Sequence, residues 1–400
     1  MKLFDENVKA GTDYRKYAES YFSYFNRSSR HTIKKIKEIF EGWYCKYPEE
    51  QKGSLRKNFR RNNNKIHKRA FFKLFVHELF LRLNCKIQAN PIIQGCCSSP
   101  DFLMETLKGE KFYLDTILAS NETDEEARLW MKTDKIYELI EDIKSKRFYV
   151  VVHVNNYSKK LPSKKSIQNK VAGWLKNLPE MAHRENMETE ELPSFYYGHN
   201  GWQIVFYAYP RKERGNETAS SVRPPGMLLL KHKIQEDDQI EENIYNIILN
   251  KVGLYKKIDL PYILAINIYN SVDFKSDLLD VLYGEKLNEL EEAIINKANR
   301  PDDGVFTNDN QKKSKGISAV LAFNKLTPWK LTLTDYFMFQ NPFAQLQAPL
   351  FLDILHTARE KDKTLEFDYG LLISEILELS TTWPQERDNY IRLSEQQILF

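Results

Sequence analysis

Cysteine is scarce in this chain and poorly placed for metal or redox chemistry. Its four thiols, Cys45, Cys85, Cys96 and Cys97, include no CxxC pair and no neighbouring histidine at ligand spacing, which argues against a zinc site. Adjacent cysteines such as Cys96 and Cys97 rarely bond to each other, and four thiols in 400 residues suit a reducing compartment. No apolar run approaches the roughly 20 residues a bilayer span needs. The opening MKLFDENVK is charged and lacks the apolar centre of a signal peptide, so a soluble, cytoplasmic protein with no membrane partner is expected. There is no Walker loop, no GxGxxG, no GxSxG and no tandem repeat, so nucleotide-loop, dinucleotide-fold, hydrolase-elbow and solenoid readings fall away. Charge of one sign is also lacking: 59 Lys and Arg stand against 55 Asp and Glu, a net +4 too mild to indicate a nucleic-acid partner without local clustering.

Apolar residues are plentiful at 42%, enough for one large core or two. Residues 1–69 read as a helical, basic region rich in aromatics, with Ile33, Ile36, Ile39 and Phe40 on one face of a helix over Thr32–Tyr44. From Lys52 to Arg69 there are eight basic residues and no acid. Arg56, Lys57, Arg60, Arg61, Lys65, Lys68 and Arg69 are candidate phosphate contacts, with a solvated loop as the plain alternative.

The segment 70–182 reads as an α/β core. Phe71–Leu83 is apolar on nearly every side, which predicts a buried helix, and Glu78 sits inside it, either aimed into a site or paired with Arg82 four residues on. Asp101–Leu107 and Lys111–Leu118 read as a hairpin turned near Gly109. The period of two puts Tyr113, Asp115 and Ile117 on one face, and a mid-strand Asp115 calls for a metal or a basic partner from a neighbouring element. A helix from Asp124 to about Ser145, a strand at Phe148–Val154 and a helix after Ser163 complete one mixed sheet with its flanking helices.

Residues 195–400 read as a second α/β region of unknown role. Strands are expected at Gly201–Tyr209, Met227–Lys231, Tyr262–Tyr269 and Ile317–Asn324, and helices at Ile240–Tyr255, Leu346–Glu360 and Tyr369–Leu379. The loop from Pro210 to Pro225 adds Arg211 and Lys212 as candidate nucleic-acid contacts. His77 and His153 read as core histidines, and His199-Asn200 before Gly201-Trp202 as a turn. Trp130, Trp174 and Trp202 read as anchors, with base stacking as a minority role; Lys251 and Tyr255 either line a pocket or pack between helix and sheet.

Glu78 on an apolar helix, Pro100-Asp101 opening a hairpin strand and Asp115 on the next strand together resemble the PD-(D/E)XK nuclease-like superfamily. The likeness spans about residues 70–155. More loosely, FFKLFVHELFLRLN, SSPDFL, FYLDTILAS and KVGLYKKIDLPYILAIN look like a group of uncharacterised bacterial proteins often assigned to that fold. The resemblance implies a restriction-endonuclease-like mixed sheet flanked by helices. It also implies a Mg²⁺ or Mn²⁺ ion held by Asp101, Asp115 and the carbonyl of Thr116, with Glu78 as an outer ligand or water-orienting group. The superfamily's lysine belongs two residues after the second acid, where this chain has Ile117. Some members take that charge from a neighbouring element, which points to Arg128 and Lys132, one turn apart on the next helix; solvated helix surface is their plain reading.

The function expected on this basis is metal-dependent hydrolysis of DNA phosphodiesters, DNA rather than RNA, in bacterial restriction or defence, by a homodimer or within a larger complex. Two alternatives stay open: a nuclease-like fold that only binds nucleic acid, and an interaction subunit of a larger assembly.

Overall fold

A nearly continuous apolar run suits a strand covered on both faces, and Tyr262–Ile268 is such a strand, apolar but for Asn267, with all seven residues buried. The computed structural model in which it is seen describes residues 1–400 apart from 7, 9–10, 14, 94–97, 120–123, 144, 146, 159, 183–190, 212–237, 255–257, 270, 272, 285–303, 308–313, 362–363 and 385–400. Two compact units are present. The first comprises Met1–Tyr14, Ser20–Asn121 and Glu236–Arg387; the second comprises Arg15–Glu19, Glu122–Gln235 and Asp388–Phe400.

The first unit is a mixed α/β sheet flanked by helices. In chain order it contains α1 (Tyr21–Arg27), α2 (His31–Lys46), α3 (Glu49–Phe59), α4 (Asn64–Arg82), β1 (Lys86–Ala89), β2 (Phe102–Glu105) and β3 (Lys111–Ala119). The second unit supplies α5 (Asp124–Ile140), β4 (Phe148–Asn156), α6 (Lys164–Asn177), β5 (Ser194–His199) and β6 (Trp202–Pro210). The first unit resumes with α7 (Asp238–Leu254), β7 (Tyr262–Ile268), α8 (Phe274–Tyr283), β8 (Ala319–Asn324), β9 (Tyr336–Gln340), β10 (Thr357–Lys361), β11 (Thr364–Asp368) and α9 (Ile373–Leu377). Its eight strands run in the order β1-β2-β3-β7-β8-β9-β10-β11. The central β3-β7-β8 pairs are parallel, and β1-β2, β2-β3, β8-β9 and β10-β11 are antiparallel.

Alternation along these strands sorts the core into two layers. On one face Phe80 of α4 meets Phe112, and Phe72 and Phe75 meet Phe323. On the other, Ile244 and Ile248 of α7 and Leu278 and Leu282 of α8 pack with Tyr113, Leu264, Ile266 and Val320. The α4 helix starts where the Asn63 side chain accepts the Ile66 N–H, and it stops at Asn84, which takes the left-handed conformation at φ 60°.

Several expectations differ from the structure. The strand at 148–156 pairs with β6 in a separate three-stranded antiparallel sheet, β4-β6-β5, and not with the β2-β3 hairpin. Its inward Phe148, Val150 and Val152 face Ile136, Ile167 and Val171 of α5 and α6. The continuous segments 70–182 and 195–400 therefore cross the observed division, since β3 is completed by β7, which follows it only after the Glu122–Gln235 segment of the second unit. Lys52–Arg69 is mostly the end of α3 and the start of α4 in place of a loop. Residues 346–360 give a 3-10 turn at Leu350–Ile354 and then β10, not one helix, and the last helix is confined to Ile373–Leu377. The strand expected at Met227–Lys231 lies outside the described residues. The turn at Asn200-Gly201 is present, both residues having positive φ as a tight hairpin requires.

Two histidines in the α4 layer are expected to make the fold acid-sensitive. Burial lowers His67 and His77 from the usual 6.5 to about 4, and both are buried with one ring nitrogen lacking a hydrogen-bond partner among the described residues. A depressed histidine keeps the folded state from taking up a proton that the unfolded chain accepts. The stability they protect is complete above about pH 6.5 and is lost as pH falls from there toward 4. Urea midpoints measured between pH 7 and pH 4.5 are expected to fall, and His67→Phe is expected to flatten that slope; an equal slope in the variant would contradict the assignment.

Candidate active site

Pro100 and the register of the hairpin set the first acid beside the second. Phe102 opposes Leu114, so Asp101 falls next to Asp115, and the Asp101 N–H donates to Asp115 Oδ1 at 2.7 Å. Asp115 is buried, with 2% of its side chain exposed, whereas Asp101 keeps 24%. A buried carboxylate needs donors. Asp115 Oδ2 accepts from Lys251 Nζ at 2.9 Å and from the Tyr262 hydroxyl at 2.9 Å. Asp101 Oδ1 accepts from Lys73 Nζ at 2.7 Å, and Oδ2 accepts from the Thr116 N–H at 2.9 Å and its hydroxyl at 2.5 Å. Lys73 also donates to Asn90 Oδ1 at 3.2 Å.

The two acids are engaged from opposite faces of the sheet. Asp115 shares the face of Tyr113 and Ile117, which is covered by α7, and its cation comes from that helix. Asp101 turns to Thr116, on the Phe112 and Leu114 face, and its cation comes from α4. Nearby, the Tyr47 phenol is pushed up first by burial and then by the Asp101 charge.

Glu78 stands apart from this pair. It follows Lys73 by five residues, about 140° around the helix at 3.6 residues per turn, and no described hydrogen bond joins it to Asp101 or Asp115. Glu78 is fully buried, and its Oε1 accepts from Lys46 Nζ at 2.9 Å and Arg82 Nε at 2.8 Å, while Oε2 has no partner among the described residues. Arg82 reaches on to Glu378 at 2.6 Å. The i, i+4 pairing with Arg82 is therefore present, enlarged by Lys46.

Arg128 and Lys132 stand on α5 of the second unit. Lys132 Nζ lies 5.7 Å from the Tyr157 ring centre, and the Arg128 side chain lies outside the described residues. Ile117 packs against the apolar cluster of the α7 face, consistent with an aliphatic side chain. In the basic run, Arg56 donates to the Lys2 carbonyl and Arg60 to Asp5 and the Leu3 carbonyl, so these two tie down the N-terminal segment. Lys68 lies over the Tyr269 ring at 4.3 Å, and Lys57, Arg61 and Arg69 are exposed. Lys65 is partly buried. Arg211 is half-buried over the Tyr149 ring at 4.4 Å; Lys212 lies outside the described residues.

Sequence reading missed Lys73 and Tyr262 and left Lys251 undecided. Lys73 is a polar break in an apolar helix, a signal that could have found it, whereas the Tyr262 and Lys251 contacts depend on β7 lying beside β3. In donor type the pair suits a hard cation, two carboxylates and a strand carbonyl at Thr116, with Glu78 removed from the set. Among the described residues no group of three or more His, Cys, Asp or Glu is arranged around one point. Among the described residues no helix is long and apolar enough to cross a membrane. Comparison with protein-family models, with curated proteins and with solved structures gives no match.

Proposed function

We propose that the protein is a metal-dependent endonuclease of the PD-(D/E)XK type that hydrolyses DNA, with Lys251 supplying the charge that Ile117 cannot. One observation carries this reading: Lys251 Nζ lies 2.9 Å from Asp115 Oδ2, with the lysine 28% exposed and the aspartate 2% exposed. A lysine from a neighbouring helix thus reaches the second acid from the same sheet face that a lysine at position 117 would use. The hairpin bearing Asp101, the strand bearing Asp115 and the parallel β7 beside it support the restriction-endonuclease-like form of the sheet.

Asp101 and Asp115 would hold the Mg²⁺ or Mn²⁺ ion, which supplies charge neutralisation at phosphorus and an acidified water. The chain's own groups do the rest. Tyr262 holds Asp115 in orientation through its hydroxyl. Lys251 orients the attacking water or carries charge toward the phosphate, and Lys73, on the part-exposed Asp101, is placed to meet a non-bridging phosphate oxygen. Lys57, Arg61 and Arg69 are the exposed candidates for backbone phosphates. Such an activity suits restriction or defence against mobile elements in a bacterial cytoplasm, alone, as a homodimer or within a larger complex.

The test is plasmid, linear and single-stranded DNA incubated with Mg²⁺, Mn²⁺ or EDTA. EDTA-sensitive cutting is expected, reduced at least about 100-fold in Asp101→Ala and in Asp115→Ala. Cutting untouched by either substitution would sink the site. A second reading, a nuclease-like fold that binds nucleic acid without cutting it, is favoured by one specific feature: all four carboxylate oxygens of Asp101 and Asp115 already accept protein donors. Salt-sensitive DNA binding with no cleavage under any metal would select it.

A further inference from the structure

In the second unit β5 is an outer strand of its sheet among the described residues. Alternation sends Phe195 and Tyr197 toward the α6 layer and Tyr196 and Gly198 to the opposite face. Lys170 and Trp174, one turn apart on α6, meet the first pair. Trp174 stacks on Phe195 at 5.6 Å between centres, and Lys170 Nζ stands 5.2 Å from the centre of the Tyr197 ring. On the opposite face Tyr196 lies along Gly198, where a Cβ would come within 3.0 Å of the Tyr196 ring. These six residues line an open cleft of about 630 Å³.

Two features indicate that the cleft receives something. Tyr197 borders it at 1% exposure, and its hydroxyl has no hydrogen-bond partner among the described residues, an arrangement that carries a desolvation cost. Tyr196 leaves 57% of its surface exposed beside the cleft, far more than its tyrosine neighbour. Charge then narrows the ligand. The α6 sequence KKSIQNKVAGWLKN has Lys164, Lys165, Lys170 and Lys176 and no acid; Lys164 is paired with Asp142, and Lys170 borders the cleft itself. Flat aromatic faces beside a cation match stacked bases joined by phosphates.

We propose that this cleft binds a single-stranded nucleic-acid segment. Bases stack on Trp174 and Tyr196, and Lys170 holds a phosphate. The proposal deepens the nuclease reading by naming a single-stranded contact, and it rests on that reading for the choice of DNA as the strand.

The test uses the full chain and a fluorescent oligo(dT) of about 12 nucleotides, within the usual site size of such clefts. Anisotropy is followed in EDTA at low and moderate salt. Tyr196→Ala, on an exposed position, and Trp174→Ala are each expected to weaken binding about tenfold, toward the lower end of what one base–aromatic stack contributes. Lys170→Ala is expected to weaken it less and to reduce the salt dependence, while Trp174→Phe stays within threefold of the parent. Binding within twofold of the parent in both Tyr196→Ala and Lys170→Ala overturns the proposal. So does an acidic peptide that binds more tightly than oligo(dT) and is lost in the same variants, which would make this a peptide groove. Asp115-dependent cutting with oligo(dT) binding indifferent to Tyr196→Ala overturns the cleft alone. Cleft-dependent binding with no cutting overturns the nuclease reading alone.

Discussion

Lys251→Met is expected to lower the cleavage rate about 10²- to 10⁴-fold, the range that a positioned proton-transfer group contributes. Its ammonium touches Asp115 Oδ2 at 2.9 Å, and removing it leaves Asp115 with the Tyr262 hydroxyl and the Asp101 N–H as its named donors. The change is expected to cost stability, since it leaves a buried carboxylate without its cation, and the two neutral donors that remain limit that loss. Urea denaturation of the variant separates a lost rate from a lost fold. Lys251→Arg then divides two roles: arginine restores charge but is a poor base at any ordinary pH. A recovered rate in the arginine variant assigns Lys251 to charge stabilisation, and a rate as low as that of the methionine variant assigns it to proton transfer. A methionine variant within threefold of the parent would remove Lys251 from the site.

Adding Ile117→Lys to Lys251→Met checks the same geometry from the other side. Residue 117 lies two positions beyond Asp115 on the same strand face, so a lysine there approaches the acid from the side that Lys251 occupies. Ile117 packs only partly buried against the core, which leaves a long side chain a route to its charged end. Recovery of about tenfold in rate is expected, measured as kcat at saturating DNA.

These contacts show why the acids were legible in the sequence and the cation and hydroxyl on Asp115 were not. A carboxylate inside an apolar strand or helix is a local anomaly, visible from periodicity alone, and Asp115 and Glu78 are indeed buried. Asp101 was marked by Pro100 and by the hairpin, both local features. Lys251 and Tyr262 lie 136 and 147 residues from Asp115, and only the parallel pairing of β3 with β7 brings them near. Pairing partners are not written in strand periodicity, since a central strand such as β7 reads the same beside any neighbour. The same gap explains the sheet at 148–156. Its strand was legible from FYVVVHV, but its partner, β6, was not. Glu78 illustrates the converse: its helix-mate Arg82 is four residues away and was readable, whereas Lys46, from α2, was not.

Removing the cations around Glu78 is expected to cost far more stability than removing Glu78. The double variant Lys46→Ala/Arg82→Ala leaves a carboxylate with none of its surface exposed and its two charged donors gone, a change of about 3–5 kcal/mol by the usual cost of stranding a buried charge. Glu78→Leu instead leaves Lys46 and Arg82, whose side chains are 45% and 32% exposed and turn to water at little cost. An apolar group of similar volume then fills a site walled by the apolar α4 layer, and stability close to the parent or above it is expected. Urea midpoints with matched slopes decide the order. If Glu78→Leu is the more damaging change, the carboxylate contributes more than its two ion pairs, and Oε2, which has no partner among the described residues, is the atom to explain. Cleavage measured on the same variant completes the assignment: a parent-like rate makes Glu78 a brace for α2 against α4, and a rate lost without loss of stability returns it to the chemistry of Asp101 and Asp115.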